Sequence, residues 1–182
     1  MGKSTTAKMF QELGVPVWDA DATVHRLYSK NGAAVQPIRE LHPPAYKEDA
    51  IDRSALKDFI ANNANGLSQI EAIVHPLVAE DRQAFLSANK NGPVLFDIPL
   101  LFETGADQWL DAVIVVTAPA EVQKSRVLAR PDMTPDQFAH ILSKQMPDAE
   151  KRKRADFVIE TTSLEAARKA VLDIVSSIRQ GS

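Results

Sequence analysis

Four groups of residues in this chain have the types and spacing to do chemistry on phosphate. Gly2-Lys3-Ser4-Thr5 matches the end of the pattern G-x-x-x-x-G-K-[ST]. There, backbone N–H groups and a helix amino terminus surround the phosphates, the lysine reaches the β/γ-phosphates and the hydroxyl binds Mg²⁺. Asp19-Ala20-Asp21 follows the apolar run Val15-Pro16-Val17-Trp18, at the carboxyl end of an expected strand, where open α/β sheets bind ligands. Two carboxylates there suit a base for a hydroxyl nucleophile and a partner for metal or water. Asp97 closes Val94-Leu95-Phe96, the position of an acid that holds Mg²⁺ directly or through water. Arg126 and Arg130, four apart, share a helix face and can neutralise charge on a transferring phosphoryl group.

Each group also has a plainer reading. Ser4 or Thr5 can cap a first helix, and Met1-Gly2 with Thr6 fits the N-myristoylation pattern M-G-x-x-x-[ST]. Asp21 can be the N-cap of the helix it opens, Asp97 a strand terminus, and the arginine pair a solvated helix face. Leu100-Leu101-Phe102 packs or walls a ligand. His75, before Pro76, is structural or touches substrate, and Trp18 and Trp109 are core or interface residues. The lysine-serine loop end, leading straight into the apolar positions Ala7, Met9, Phe10 and Leu13, favours the phosphate reading over the plain ones.

The elements that must position these residues follow from apolar patterning. Val15–Trp18, Val94–Phe96 running into Asp97, and Ala112–Thr117 read as strands buried on both faces, with Phe157–Ile159 as a fourth. Helical pattern surrounds each, and Leu164, Ala167, Val171, Leu172, Val175 and Ile178 repeat at helical spacing. Strands alternating with helices predict a parallel α/β sheet. From Asp21 to about Lys90 no strand is expected, only helices interrupted by Pro37, Pro43-Pro44 and Pro76. Residues 120–151 read as another helical stretch. It carries Arg126, Arg130, Lys144 and Lys151 and runs into Arg152-Lys153-Arg154, a basic concentration that the net charge hides.

Composition bounds the rest. The chain has 182 residues, the size of one ordinary domain, and 45% hydrophobic with 25% charged residues matches soluble globular usage. A net charge of -3 gives no basic field for a nucleic-acid backbone, so nucleic acid is not an expected partner. With no cysteine, disulfides, thiolate metal sites and Cys nucleophiles are excluded. No stretch has the length of a membrane span and no signal-peptide pattern is seen, so a cytoplasmic location is expected. The four histidines lack zinc-site spacing.

Taken together, the chain resembles bacterial dephospho-CoA kinases over nearly its whole length. The marks are Gly2-Lys3-Ser4-Thr5, Gly14-Val15-Pro16-Val17 with Asp19-Ala20-Asp21, Ile73-Val74-His75-Pro76-Leu77, Pro99-Leu100-Leu101-Phe102-Glu103, Gln123-Lys124-Ser125-Arg126 with Arg130, Ile141 to Gln145, and Lys151 to Ile159. The resemblance implies one P-loop NTPase-type α/β domain over 1–182. It would have a parallel sheet with flanking helices, a mostly helical CoA-binding insert over 22–92 and a helical lid over about 123–153. It implies ATP-dependent phosphorylation of the ribose 3′-hydroxyl of dephospho-CoA, giving coenzyme A and ADP. Gly2, Lys3, Ser4 and Thr5 would bind ATP, with Ser4 and Asp97 on Mg²⁺. Asp21 would be the base, with Lys3, Arg126 and Arg130 completing the catalytic set. Asp19, His75, Leu100, Phe102 and Glu103 would line the acceptor side.

Thr161 stands where relatives often carry Asn, and Lys144 where Arg is frequent. The resemblance also places a strand and the first half of the loop before Gly2. The expected start therefore lies about ten residues upstream. Two other readings remain: a P-loop kinase of another small acceptor, and a non-catalytic remnant that binds CoA-like ligands or a partner protein.

Overall fold

The structure, a computed structural model, describes residues 2–129 and 133–180. The chain divides into two units, Met1–Val17 with Asp97–Ser182, and Trp18–Phe96. The helical region expected over 22–92 falls within the second.

In the first unit, helix α1 (Lys3–Glu12) buries Thr6, Ala7, Met9 and Phe10. It stops where Gly14 takes φ 78, with Gly14 N donating to Gln11 O at 3.0 Å and Val15 N to Phe10 O at 3.1 Å. This pair of bonds closes a helix with a left-handed residue, which glycine adopts without a Cβ penalty. Strands β5 (Ile114–Thr117) and β6 (Phe157–Glu160) pair in parallel, Ile114 opposite Phe157 through Thr117 opposite Glu160. Helix α9 (Leu164–Gln180) packs on β6 and on α1. Of the helically spaced set it buries Ala167, Val171 and Val175, together with Ile174, while Leu164 and Leu172 face outward. Arg168 pairs with Glu12 at 3.1 Å, and Arg179 Nη2 donates to Leu13 O at 2.9 Å. The basic stretch forms α6 (Ala120–Leu128), α7 (Pro135–Ser143) and α8 (Asp148–Arg154), none with a buried residue. Arg130 lies outside the described residues.

The strands are not buried on both faces. β5 alternates half-buried Ile114 and Val116 with buried Val115 and Thr117, and β6 turns Val158 outward at 40% exposure while Ile159 is fully buried. Among the described residues each strand has one paired neighbour, and α9 packs against β6.

The second unit begins and ends on β1 (Val17–Asp19) and β4 (Leu95–Asp97), which pair as a two-stranded sheet. Trp18 and Phe96 meet edge to face at 5.8 Å. Between them run α2 (Ala20–Tyr28), α3 (Val35–Leu41), α4 (Arg53–Asn62) and α5 (Gly66–Ala88). Their core holds Leu27, Tyr28, Val35, Ile38, Leu56, Ile70 and Val74.

The structure corrects two expectations here. A short antiparallel hairpin, β2 (Tyr46–Lys47) with β3 (Ala50–Ile51), lies in the region read as strandless. Its turn residues Glu48 and Asp49 both take positive φ, 54 and 65, as a type I′ turn requires. Glu-Asp is not the Asn-Gly signature that announces such turns. Nor does Pro76 break a helix: α5 runs through it, because burial of Ile70 and Val74 holds the helix across the lost backbone bond. Pro37 likewise sits in the first turn of α3, where a missing N–H costs nothing.

Candidate functional site

The amino end of α1 has the chemistry of an anion site. Gly2 takes φ 89 as its N-cap, and a Cβ there would stand 3.2 Å from Thr161 Cγ2. Both the backbone angle and the close approach therefore demand glycine. The first turn holds no acidic side chain, leaving its N–H groups and the positive end of the helix dipole uncompensated. Lys3, Ser4 and Thr5 are exposed there.

Asp97, at the carboxyl end of β4, is 6% exposed, and Lys3 Nζ lies 2.6 Å from its Oδ1. That oxygen has no hydrogen-bond partner among the described atoms, so the contact is one of charge and proximity rather than a directed bond. A buried carboxylate needs a counter-charge, and Lys3 supplies it.

Arg126, on α6, donates from Nη1 to Thr161 Oγ1 at 3.2 Å and from Nη2 to Thr161 O at 3.1 Å. Thr161 Oγ1 in turn donates to Thr117 O at 3.0 Å. Thr161 thus joins Arg126, the end of β5 and the loop glycine, so Gly2, Lys3, Asp97 and Arg126 belong to one unit and to linked contacts. In the sequence Thr161 stands out only as a departure from the family pattern. The signal that could have found its role is its place directly after β6, at the carboxyl end of a parallel strand.

In the second unit, the two carboxylates of Asp19-Ala20-Asp21 have different positions. Asp19, not Asp21, is the N-cap of α2, its side chain accepting from Ala22 N at 2.9 Å. Asp21 sits in the first turn with its side chain exposed. Because the strand ends directly in the helix, the cap falls on the last strand residue and the second aspartate is left free of the backbone. His75 is exposed on α5.

The segment after β4 is tightly tied within the first unit. Leu100 takes φ 54 and is 43% exposed, an uncommon conformation for a branched residue and a mark of local constraint. Its carbonyl accepts from Thr104 N and Thr104 Oγ1, both at 3.0 Å. Phe102 is packed with Val113 and Val115, under the Arg154 guanidinium 4.6 Å from its ring centre. Glu103 Oε1 accepts from Met146 N at 2.7 Å and faces Lys151 Nζ at 3.0 Å. Burial pushes the Glu103 carboxyl up, but the bonds from Met146 N and Lys151 and the lysine charge outweigh it and hold it below its ordinary range. Phe102 and Glu103 are thus committed to packing and ion pairing, while Leu100 is left to face outward.

A donor set for a metal is sparse. Among the described residues no three His, Cys, Asp or Glu side chains gather. One buried carboxylate, Asp97, and one hydroxyl, Ser4, are hard oxygen donors of the kind Mg²⁺ takes when it keeps waters and substrate phosphates as its other ligands.

Comparison with known proteins gives the family of the chain. A family model described as "CoaE: Dephospho-CoA kinase" matches residues 1–166. The dephospho-CoA kinase of Jannaschia sp. is 56% identical over 182 residues, covering 100% of this chain and 93% of its own length. That of Cereibacter sphaeroides is 54% identical over 180 residues, covering 99% and 91%. The crystal structure of TT1252 from Thermus thermophilus superposes with a TM-score of 0.83 at 34% identity, over 97% of this chain and 91% of that one. A dephospho-CoA kinase structure from Campylobacter jejuni gives 0.67 at 26% identity over the same shares. No support for a non-catalytic remnant appears among these matches.

Proposed function

We propose the following division of labour from the premise that this chain belongs to the dephospho-CoA kinase family. Its fold is of the P-loop NTPase type. Its reaction is the ATP-dependent phosphorylation of the ribose 3′-hydroxyl of dephospho-CoA to coenzyme A and ADP, a phosphotransfer to an alcohol group at the last step of coenzyme A synthesis. No helix among the described residues is long and apolar enough to cross a membrane.

The observation that carries the site reading is Lys3 at the amino end of α1, 2.6 Å from the buried Asp97 carboxylate. Gly2, Lys3, Ser4 and Thr5 bind the ATP phosphates through N–H groups and the helix dipole, and Lys3 exchanges the Asp97 carboxylate for phosphate oxygens. Ser4 and Asp97 would hold Mg²⁺, which would supply charge neutralisation at the phosphates. Asp21 accepts the proton of the attacking hydroxyl. Its freedom from the cap that Asp19 occupies supports that role. Arg126 and Arg130 belong to the lid over about 123–153 and offset charge on the transferring group. Asp19, His75 and Leu100 serve the acceptor side, with Phe102 and Glu103 fixing the Leu100 turn, and residues 22–92 form the CoA-binding region.

The test is Asp21→Asn, assayed by ADP release dependent on dephospho-CoA. Loss of a general base lowers kcat by about 10²–10⁴-fold, with ATP binding retained. Unchanged turnover would remove Asp21 from the mechanism.

A further inference from the structure

Asp81, on α5, collects an unusual number of donors for one partly exposed carboxylate. Its Oδ1 accepts from Trp18 Nε1 at 2.8 Å, from Thr23 Oγ1 at 3.2 Å and from Arg26 Nη2 at 3.0 Å, and its Oδ2 from Arg26 Nη2 at 3.0 Å. Arg26 Nη2 also donates to Thr23 Oγ1 at 2.9 Å, so Thr23, Arg26 and Asp81 close a triangle. Thr23 is fully buried and Trp18 is 4% exposed. A buried indole N–H needs an acceptor, and Asp81 provides it.

The donors flank the Asp19-Ala20-Asp21 segment. Trp18 is the residue before it on β1, and Thr23 and Arg26, three apart, share one face of α2. Asp21, two positions before Thr23, projects from the opposite side of the helix and is exposed. The carboxylate therefore grips the strand end and the back of the helix while touching neither aspartate.

We infer that Asp81 is a positioning residue for the phosphoryl transfer: it fixes the β1–α2 corner and thereby the direction in which Asp21 presents its carboxylate to the acceptor hydroxyl. The inference rests on the assignment of Asp21 as base. A corner tied only by apolar packing can rotate about the helix axis, and a misplacement of about 1 Å at a reacting group costs on the order of 100-fold.

The experiment is a double-mutant cycle in the full chain. Asp81→Ala and the isosteric Asp81→Asn are each made alone and with Asp21→Asn, and kcat and KM for ATP are measured by single-turnover and steady-state assays. Asp81→Asn keeps an acceptor for Trp18 and Thr23 but opposes an amide N–H₂ to Arg26, so it folds even if Asp81→Ala does not. The expected result is a kcat loss of about 10–100-fold for Asp81→Ala and about 3–10-fold for Asp81→Asn, with KM for ATP unchanged. In the Asp21→Asn background neither adds more than about twofold, since a positioning group has nothing left to position. Equal losses in both backgrounds, or no loss with Asp21 intact, overturn the inference while leaving Asp21 as base. Full turnover by Asp21→Asn alone overturns the base assignment and the inference with it.

Discussion

Replacing Glu103 by Ala removes one acceptor from two donors. Met146 N, at 2.7 Å, loses its partner outright, and Lys151, whose side chain is 20% exposed against 17% for Glu103, keeps a charge with no counter-ion beside Arg152, Lys153 and Arg154. Breaking a fully buried pair costs about 3–5 kcal/mol, and a hydrogen bond to a charged group about 1.5–3 kcal/mol. Both side chains retain an edge to water that recovers part of this, so about 2–3 kcal/mol is expected for Glu103→Ala. Glu103→Gln keeps an acceptor for Met146 N and loses only the charge, for about 1 kcal/mol. The measurement is urea denaturation read as a shift in midpoint at constant slope, since a constant slope isolates stability from compactness.

The same pair makes a pH prediction of definite sign. The Glu103 carboxyl is held below its ordinary value of 4.5 in the folded chain. Its contribution is therefore complete above that value and disappears as pH falls through the lower folded value. The Ala and wild-type midpoints should converge in acid and separate toward neutrality. If Glu103→Ala is no worse than Glu103→Gln at pH 7, the bond from Met146 N carries nothing and does not help to hold the Leu100–Glu103 segment.

Gly2→Ala forces a left-handed angle on a residue with a Cβ 3.2 Å from Thr161 Cγ2, a strain of about 1–2 kcal/mol. ATP affinity measured by calorimetry should fall with little change in acceptor binding. Arg126→Ala leaves Thr161 Oγ1 still bonded to Thr117 O, so the thermal midpoint should move by no more than about 4 °C while kcat falls at least about tenfold. Wild-type kcat in that variant would take Arg126 out of the reaction. For Asp81, burial pushes the carboxyl up, yet bonds from Trp18, Arg26 and Thr23 and the Arg26 charge together leave it below its ordinary 3.8. Its stabilisation is present above that value and is lost as pH falls through the folded one, so acid unfolding of Asp81→Asn, followed by Trp fluorescence, should be less steep than that of wild type.

Local pattern was enough to find the strands at Trp18, Phe96, Val115 and Val158, because short apolar runs closed by a carboxylate or a turn have few other interpretations. It was enough for α9 as well, whose helical spacing survives into burial of Ala167, Val171 and Val175. What it missed was set by partners distant in sequence. The hairpin at Tyr46–Ile51 depends on Glu48 and Asp49 accepting positive φ, a choice made by the fold around them, with the Tyr46 hydroxyl donating to Asp49 Oδ1 at 2.7 Å. Pro76 reads as a break in isolation and is absorbed by α5 because the turns before it bury Ile70 and Val74 while Leu77 and Val78 pack partly on the same core. Two-faced burial of the strands failed for a similar reason, since the number of paired neighbours is not written in any one strand.

The same distinction divides the site. Gly2, Lys3 and Ser4 announce themselves because three adjacent residues offer a backbone angle, a charge and a hydroxyl of the kinds that phosphate binding uses, and Asp97 because a carboxylate at a strand end has a known chemistry. Asp81 offers no such local cue: it is one carboxylate among charged neighbours on a long helix, 63 positions from Trp18 and 55 from Arg26. Only the fold makes it the common acceptor for a buried indole, a buried hydroxyl and a guanidinium. Groups that touch the reacting atoms are confined to a few residue types and to strand and helix ends, so sequence exposes them. Groups that aim those residues need only reach them from behind, from any element that packs there, and a carboxylate, an amide or a carbonyl could each serve. The aiming residues of an α/β kinase are therefore the part of its mechanism that sequence hides most completely, and the cycle between Asp81 and Asp21 measures one of them directly.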